Sequence, residues 1–313
     1  MRALHVTNGD STAQTLRQTG LVERRVVWRG ALHEGPVPDV DDARLRTVRA
    51  EYLAGGGVSA AQVLRGFEER DRALAAGRGG EYALWFEADL YDQLQLAQIV
   101  ARLAAIGGRA RAVRLICIGE HRGSAHFGGL GELGPEQLER LPASAGVTLI
   151  ADAFELAARA WAALRAPDPR GLAAIVAARS PELRFLPEAF DRLGREHPST
   201  RDGLSLTERR LLAAVSEGAA ARVEAFLRAG KREVRPFLGD TWAFAALDRL
   251  AAGDVPLLDG PRLTDAGERV LRGEADHVAL NGIDRWVGGV HLRGRSVSWR
   301  WDEGTEAVFG TGR

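Results

Sequence analysis

Four short apolar segments, each followed by a helical pattern, limit the folds open to this chain. The segments read ALHV, RVVW, YALWF and VRLICI, and they are rich in the β-branched and aromatic residues that favour strands. Strands that alternate with helices are typical of a parallel sheet covered by helices. We therefore predict an α/β domain over residues 1–180, with a mainly parallel, Rossmann-like sheet flanked by helices.

Capping patterns place the starts of two of these helices. In a capping box, a hydroxyl and a side chain three positions later satisfy backbone N–H groups that have no partner inside the helix. Ser11 with Gln14 and Ser59 with Gln62 both fit this pattern. We predict that one helix begins after Ser11 and another after Ser59.

The sequence changes character near residue 181, where proline and charged residues become frequent. We interpret residues 181–200 as a connecting segment. Three helical patterns follow, and then a strand-rich end that reads RWVGGVHLRGRSVSWRWD. Three helices followed by a β-ribbon resemble a winged-helix module, so we predict a smaller α+β, winged-helix-like domain over residues 201–313.

The composition excludes several classes of protein. Basic and acidic residues number 42 each, so the chain has no overall field that would attract nucleic acid or an anionic membrane. Lys231 is the only lysine, a bias that we attribute to genome composition, and Cys117, the only cysteine, excludes an internal disulfide and a cysteine-rich metal site. The sequence shows neither a signal peptide nor the roughly 18 apolar residues of a membrane span, so we expect a cytoplasmic protein without a membrane partner.

Polar residues follow each of the four predicted strands. In an open parallel sheet, the loops at the carboxyl ends of the strands share one edge, and ligands bind there. The four sets are Thr7, Asn8, Gly9, Asp10 and Ser11; Arg29, His33 and Glu34; Glu87, Asp89 and Asp92; and Glu120 and His121. We therefore predict one site at this edge.

The loop TNGDS after the first strand has two interpretations. Gly9 would let the backbone approach an anion, which the N–H groups at the helix start would then hold. The residues predicted to bind the ligand are Thr7, Asn8, Gly9, Ser11, Thr12 and Arg29. The same loop also fits a plain turn and helix cap, and the sequence leaves both interpretations open.

The segment RGALHEGPVPDVDD places a histidine and an acid where neither is needed for capping. Imidazole titrates near neutrality, so His33 is the predicted general acid or base, with Asp10 and Glu34 completing the catalytic set. A histidine bonded within the structure is the alternative.

The segment LWFEADLYDQLQL clusters acids at the end of the third strand. Asp10, Glu87, Asp89 and Asp92 are the predicted metal ligands, and Mg²⁺ is the cofactor that such oxygen ligands suit. The alternative is that Asp89 and Asp92 only complement the dipole of the following helix.

Three blocks, HVTNGDS, VVWRGALHEGPVP and LWFEADLYDQLQL, resemble the bacterial family known as domain of unknown function 1835 over roughly the first 120 residues. The later segments GLSLTERRLL, LTDAGERVL and WVGGVHLRG are similar to the C-terminal half of such proteins. The resemblance implies the domain plan but no reaction, and it marks His5, Asn8, Asp10, His33, Glu34, Asp89 and Asp92. An acidic residue often follows the Trp-Arg pair in this family, whereas this chain has Gly30.

These patterns predict a chain that binds a small anionic, nucleotide-like metabolite and acts on it by metal-assisted hydrolysis or group transfer. The alternative is a ligand-sensing regulator that performs no chemistry and signals through the C-terminal domain. In a third hypothesis the cleft is empty, and the polar loops are only turns and caps.

The C-terminal region favours protein contact over DNA contact. Its third helical pattern, DTWAFAALDRLAAG, is acidic and apolar, whereas a DNA reader needs basic or amide side chains there. We therefore rank DNA binding below protein contact or formation of a homo-oligomer.

Overall fold

A five-stranded sheet forms the centre of the N-terminal half. This is a computed structural model, which describes residues 3–21, 24–77, 79–106, 112–121 and 127–311. The strands are β1 (Leu4–Thr7), β2 (Arg24–Val27), β3 (Glu81–Glu87), β4 (Ala112–Ile118) and β5 (Gly146–Thr148), in the order β2-β1-β3-β4-β5. The first four strands are parallel and β5 is antiparallel to β4, which confirms the predicted mainly parallel sheet of an α/β protein.

Helices cover both faces of this sheet. They are α1 (Asp10–Leu16), α2 (Asp42–Leu53), α3 (Ala60–Ala76), α4 (Leu90–Ala105), α5 (Pro135–Ala145), α6 (Ala151–Arg165), α7 (Leu172–Val176) and α8 (Leu186–Gly194). Along β3, Leu84 and Phe86 enter one apolar core, whereas Ala83 and Trp85 enter the core on the opposite face. Burial on both faces explains why the strand is apolar throughout instead of alternating with polar residues.

One of the two predicted capping boxes is present. Ser59 caps α3, accepting from the N–H of Gln62 at 3.3 Å, while the Gln62 side chain accepts from the N–H of Ser59 at 2.8 Å. The box at Ser11 was wrong, because α1 begins at Asp10, two residues before the predicted start, and Gly9 is its N-cap. Ser11 therefore lies inside the helix, and its hydroxyl instead donates to the carbonyl of Gly131 at 3.3 Å.

The C-terminal half contains further helices and three short antiparallel hairpins. The helices are α9 (Leu206–Ser216), α10 (Arg222–Gly230), α11 (Asp240–Ala251), α12 (Asp265–Leu271) and α13 (His277–Asn281). The hairpins are β6 (Leu258–Asp259) with β7 (Arg262–Leu263), β8 (Ile283–Val287) with β9 (Val290–Gly294), and β10 (Trp299–Asp302) with β11 (Ala307–Gly310). Helices α9, α10, α11 and α12 enclose an apolar core of their own.

The β8–β9 hairpin belongs to the core of the N-terminal half. Val287, Val290 and Leu292 share a buried cluster with the sheet, α4 and α6. Its turn docks through backbone contacts, since the carbonyl of Gly288 accepts from the N–H of Val37 at 2.8 Å. A Cβ added at Gly288 would lie 2.2 Å from the carbonyl oxygen of Leu164, so only glycine permits this approach.

The segment predicted to connect two domains contributes to the core of the N-terminal half. The segment 181–200, interpreted as a connection, contains α8, whose Phe190 is fully buried in the same core as the sheet. The division of the chain into domains stays a prediction.

Among the described residues, no helix combines the length and the apolar character that a membrane crossing requires.

Candidate functional site

The strand order creates a crevice at the carboxyl ends of β1 and β3. The connection after β1 leads to β2 on one side, whereas the connection after β3 leads to β4 on the other side, so the loops after β1 and β3 diverge. The side chain of Asn8, just after β1, donates to the carboxylate of Asp92 on the first turn of α4. The structure thus brings together two of the four polar sets at this edge.

Three acids lie at the end of β3 and hold one another in place. The Asp92 carboxylate accepts from the N–H of Glu87 at 2.5 Å, and the Asp89 carboxylate caps α4 by accepting from the N–H of Asp92 at 3.0 Å. The loop after β4 joins them, because the N–H of Leu130 donates to Glu87 at 2.7 Å. Burial, with the nearby charge of Asp89, raises the pKa of Glu87 to about 7, so this carboxyl exchanges a proton near neutrality.

These acids do not fit the predicted Mg²⁺ site. In the part of the chain that the structure describes, no three His, Cys, Asp or Glu side chains are grouped so that they could hold a metal ion. Asp10 pairs with Arg29 at 2.5 Å on the surface, and Asp89 serves as a helix cap.

The opening loop uses its polar groups within the protein. The hydroxyl of Thr7 donates to the carbonyl of Gly9 at 3.2 Å, Thr12 is buried, and Arg29 is paired with Asp10. Gly9 has a φ of −143°, and a Cβ added there would meet no atom within 4 Å, so the position does not require glycine. This geometry adds no support to the anion site predicted at the start of α1.

His33 lies in a buried aromatic pocket that the sequence did not indicate. Its ring contacts Tyr91, Phe237 and Trp242, with centroids 5.5, 5.3 and 6.3 Å away. Neither ring nitrogen has a hydrogen-bond partner among the described residues. Burial lowers the pKa of His33 to about 3, so the ring is neutral near pH 7.

Glu34 is buried beside His33 and is also without a direct partner. Within the described ranges, no hydrogen bond or ion pair reaches its carboxylate, and burial raises its pKa despite the charges of Arg285 and Arg249. Asp10 is exposed on the surface, so the predicted catalytic set of His33, Asp10 and Glu34 is not assembled as one group. His33 and Glu34 remain close together, but Asp10 does not join them.

No protein-family model and no curated protein matches this chain. The resemblance to the domain of unknown function 1835 family therefore stays a prediction. A cavity lies at the carboxyl edge of the sheet.

This cavity, which we call the edge cavity, has a volume of about 790 Å³. One wall comes from the loop after β4, with Gly119, Glu120 and Phe127, and the facing wall comes from residues 207–238. Its other lining residues include Thr207, Arg210, Phe226, Leu227, Lys231, Glu233, Val234 and Phe237. The wall is thus mainly apolar and aromatic, with a few charged groups.

Lys231 is the one lysine of the chain, and it lines the edge cavity. No carboxylate in the described part of the chain lies within ion-pair distance of its ammonium group, so the charge is available to a ligand. From the sequence alone, this lysine was interpreted as a result of genome composition. Only the structure, which places Lys231 in the wall of the edge cavity, indicates that this side chain can contact a ligand.

A second, charged cavity of about 280 Å³ adjoins the first. The two share Arg210, Glu233 and Val234 as lining residues. Four arginines and three acids line the charged cavity: Arg192, Arg195, Arg210, Arg235, Glu188, Asp191 and Glu233. Ala88, between the acids at the end of β3, completes its wall on the sheet side.

The loop after β4 has a glycine spacing that was not among the predicted motifs. Residues 129–134 read GLGELG, which has the GxGxxG spacing found in dinucleotide-binding loops. That motif requires a strand directly before it, but β4 ends at Ile118, well before Gly129. The N–H of Leu130 is already bonded to Glu87, so this loop does not present the expected phosphate cradle.

Proposed function

We propose that this chain binds a small anionic, nucleotide-like metabolite at the carboxyl edge of the sheet. The observation that carries the proposal is the edge cavity of about 790 Å³, which lies between the loop after β4 and residues 207–238. Small-molecule sites are typically clefts of about 300–1,000 Å³ that are mostly apolar and carry a few well-placed polar groups. The edge cavity has this size and this lining.

The lining also favours a ligand with a planar part and an anionic part. Phe127, Phe226 and Phe237 offer aromatic surface to a planar group. Lys231 supplies a positive charge without an ion-pair partner in the described part of the chain, whereas Arg210 is already paired with Glu233 at 2.5 Å. The other arginines of the adjoining charged cavity are also paired with carboxylates, so an anion there would have to displace or share these pairs. Arginine guanidinium groups suit phosphate and carboxylate oxygens because their N–H groups form a planar fork.

A thermal-shift screen tests the proposal. Purified protein is heated with nucleotides, phosphosugars and inorganic phosphate, beside the variants Lys231→Met and Arg232→Met. Arg232 is the matched control, because it loses the same charge at the next position but pairs with Glu217 and does not line the cavity. A ligand at about 100 times its dissociation constant should stabilise the fold by roughly 2.7 kcal/mol.

We expect a stabilising ligand whose effect weakens in Lys231→Met and persists in Arg232→Met. No stabilisation across the panel, or equal weakening in both variants, would refute binding at the edge cavity.

The first candidate function is an enzyme that acts on the bound metabolite by hydrolysis or group transfer. Glu87 supports it, because the pKa of this carboxyl is raised to about 7 and Gly129, beside its carboxylate, adjoins the cavity residue Gly128. A carboxyl of this kind can give or take a proton near neutrality. Chromatography of the ligand after incubation, with Glu87→Gln as the comparison, should then show a product that the variant forms slowly or not at all.

Ligand sensing without chemistry is the second candidate. The two walls of the edge cavity come from the sheet edge and from residues 207–238, so a bound ligand would contact both parts of the chain. This arrangement supports a signal passed to the C-terminal region. A ligand that is recovered unchanged, and that alters the oligomeric state measured by light scattering, would favour this candidate over an enzyme.

The winged-helix likeness of the C-terminal region belongs to the same proposal. It is supported by the order of α9, α10 and α11, followed by the β6–β7 hairpin. Helix α11 carries Asp240 and Asp248, and its Arg249 faces Glu208, so a DNA-reading role receives little support. We rank a protein partner or a second copy of this chain above DNA.

A further inference from the structure

A small cavity lies beneath the loop that follows β2, apart from the edge cavity. We call it the arginine cavity, because Arg46, Arg49, Arg70 and Arg102 line it, together with Gly30 and Gln98. Its volume is about 20 Å³. A cavity needs about 10–15 Å³ to hold one water-sized group, so this one has room for a single small occupant.

Positive charge exceeds negative charge around this cavity. In the described part of the chain, three of the four guanidinium groups form ion pairs with two carboxylates, those of Asp71 and Asp42, and Arg49 forms none. Asp71 is shared by three of the arginines, with N–O distances of 3.1, 3.1 and 2.6 Å. The side chain of Asp42 is 56% exposed, which weakens its contribution inside the protein.

The arginines also retain donors without acceptors. Within the described ranges, the buried Nε–H groups of Arg46, Arg49 and Arg102 have no hydrogen-bond partner. Arg49 is only 3% exposed. A buried cation and a buried N–H group are both costly unless an acceptor or an opposite charge compensates them. Three such donors on residues that line one cavity point to an occupant that accepts hydrogen bonds, and the excess of positive charge favours a negatively charged one.

We propose that the arginine cavity binds one small inorganic anion of the size of chloride. A volume of about 20 Å³ favours a monatomic anion over a tetrahedral oxyanion such as phosphate, which carries four oxygens. The site also stabilises the loop after β2, because Arg49 donates to the carbonyls of Ala31 and Glu34 at 2.7 and 2.6 Å. Arg70 likewise donates to the carbonyl of Arg29 at 2.6 Å. Anion binding would therefore hold the segment that carries His33 and Glu34.

Replacement of Gln98 by glutamate provides an internal anion for comparison. Gln98 lines the cavity, is buried, and accepts from the indole N–H of Trp28 at 3.0 Å. Gln98→Glu keeps this acceptor and adds a fixed negative charge of nearly the same shape. Gln62→Glu is the matched control, because it adds the same charge at the exposed start of α3 and keeps the acceptor oxygen of the capping box.

The test measures thermal unfolding in sodium chloride, sodium bromide and sodium gluconate at equal ionic strength. For the unaltered protein and for Gln62→Glu, we expect the unfolding midpoint to rise with halide concentration, relative to gluconate, until it saturates. For Gln98→Glu, we expect a high midpoint in gluconate and no further rise with halide.

A second measurement keeps the proposal testable if Gln98→Glu does not fold. Crystals of the unaltered protein grown or soaked in bromide should show an anomalous peak among Arg46, Arg49, Arg70 and Arg102. The proposal is overturned if the unaltered protein has the same midpoint in halide and gluconate. It is also overturned if Gln98→Glu responds to halide as the unaltered protein does, or if the bromide peak is missing from the cavity.

Discussion

Replacing His33 by phenylalanine should remove an acid-sensitive contribution to stability. The pKa of the buried ring is lowered to about 3, whereas histidine in an unfolded chain titrates near 6.5. Below pH 6.5 the unfolded chain therefore takes up a proton that the folded protein does not. The stabilisation from the neutral ring is complete above pH 6.5 and is lost as the pH falls from 6.5 toward 3.

The expected magnitude follows from the same pKa difference. Each pH unit within this window costs about 1.4 kcal/mol, so between pH 6.5 and roughly pH 4.5 the loss is about 3 kcal/mol. Buried acids such as Glu87 have raised pKa values and act in the opposite direction, but they are common to both proteins. The difference between the unaltered protein and His33→Phe therefore isolates His33.

Urea denaturation followed by tryptophan fluorescence checks this prediction. At neutral pH the variant should be at least as stable as the unaltered protein, because phenylalanine suits a pocket of Tyr91, Phe237 and Trp242 and removes two nitrogens that lack partners. At acid pH its relative stability should rise by about 3 kcal/mol. His33→Gln is the control, since glutamine is polar but does not titrate and should show the same change with pH.

A difference between the two proteins that stays constant from neutral to acid pH would refute this reasoning. It would mean that the ring of His33 takes up a proton in the folded protein as readily as in the unfolded chain.

Three other predictions concern single residues. In urea titrations, Gly288→Ala should destabilise the fold by about 2 kcal/mol more than Gly294→Ala. Both glycines have a positive φ, but only a Cβ at position 288 would meet a backbone atom, the carbonyl oxygen of Leu164 at 2.2 Å. Equal losses of stability in the two variants would contradict this prediction. Above pH 7, Glu87→Gln should be more stable than the unaltered protein. The raised pKa of Glu87 gives a stabilisation that is present below pH 4.5 and is lost as the pH rises through 7. A lower unfolding midpoint of the variant at about pH 8 would argue against this prediction. Burial raises the pKa of the Cys117 thiol, so it should react with Ellman's reagent only on unfolding, and rapid reaction in the folded protein would disprove that inaccessibility.

The sheet could be predicted because its strands are apolar on both faces. Leu84 and Trp85 are neighbours in sequence yet are buried in opposite cores, so the whole run is apolar and contrasts with the helices around it. Helix starts were harder to place. Ser11 and Ser59 show the same pattern, but the short connection after β1 starts α1 at Asp10, before the hydroxyl of Ser11 could act as a cap.

The candidate site was only partly predictable. Parallel topology places the ends of β1 and β3 together, and this rule led to Asn8 and Asp92. The burial of His33 could not be seen, because Phe237 and Trp242 cover it from a distant part of the sequence. Likewise, nothing local in the sequence indicates that Lys231 lines a cavity beside the loop after β4.

The docking of the β8–β9 hairpin also bears on how the protein is made. Ribosomes synthesise chains from the N-terminus at about 5–20 residues per second. Ile118 ends the parallel part of the sheet, and Val297, which is buried in the same core as β8 and β9, follows 179 positions later. For roughly 10–35 s the emerging sheet therefore lacks part of its cover. During translation, this exposed apolar face is where we expect a chaperone to bind first.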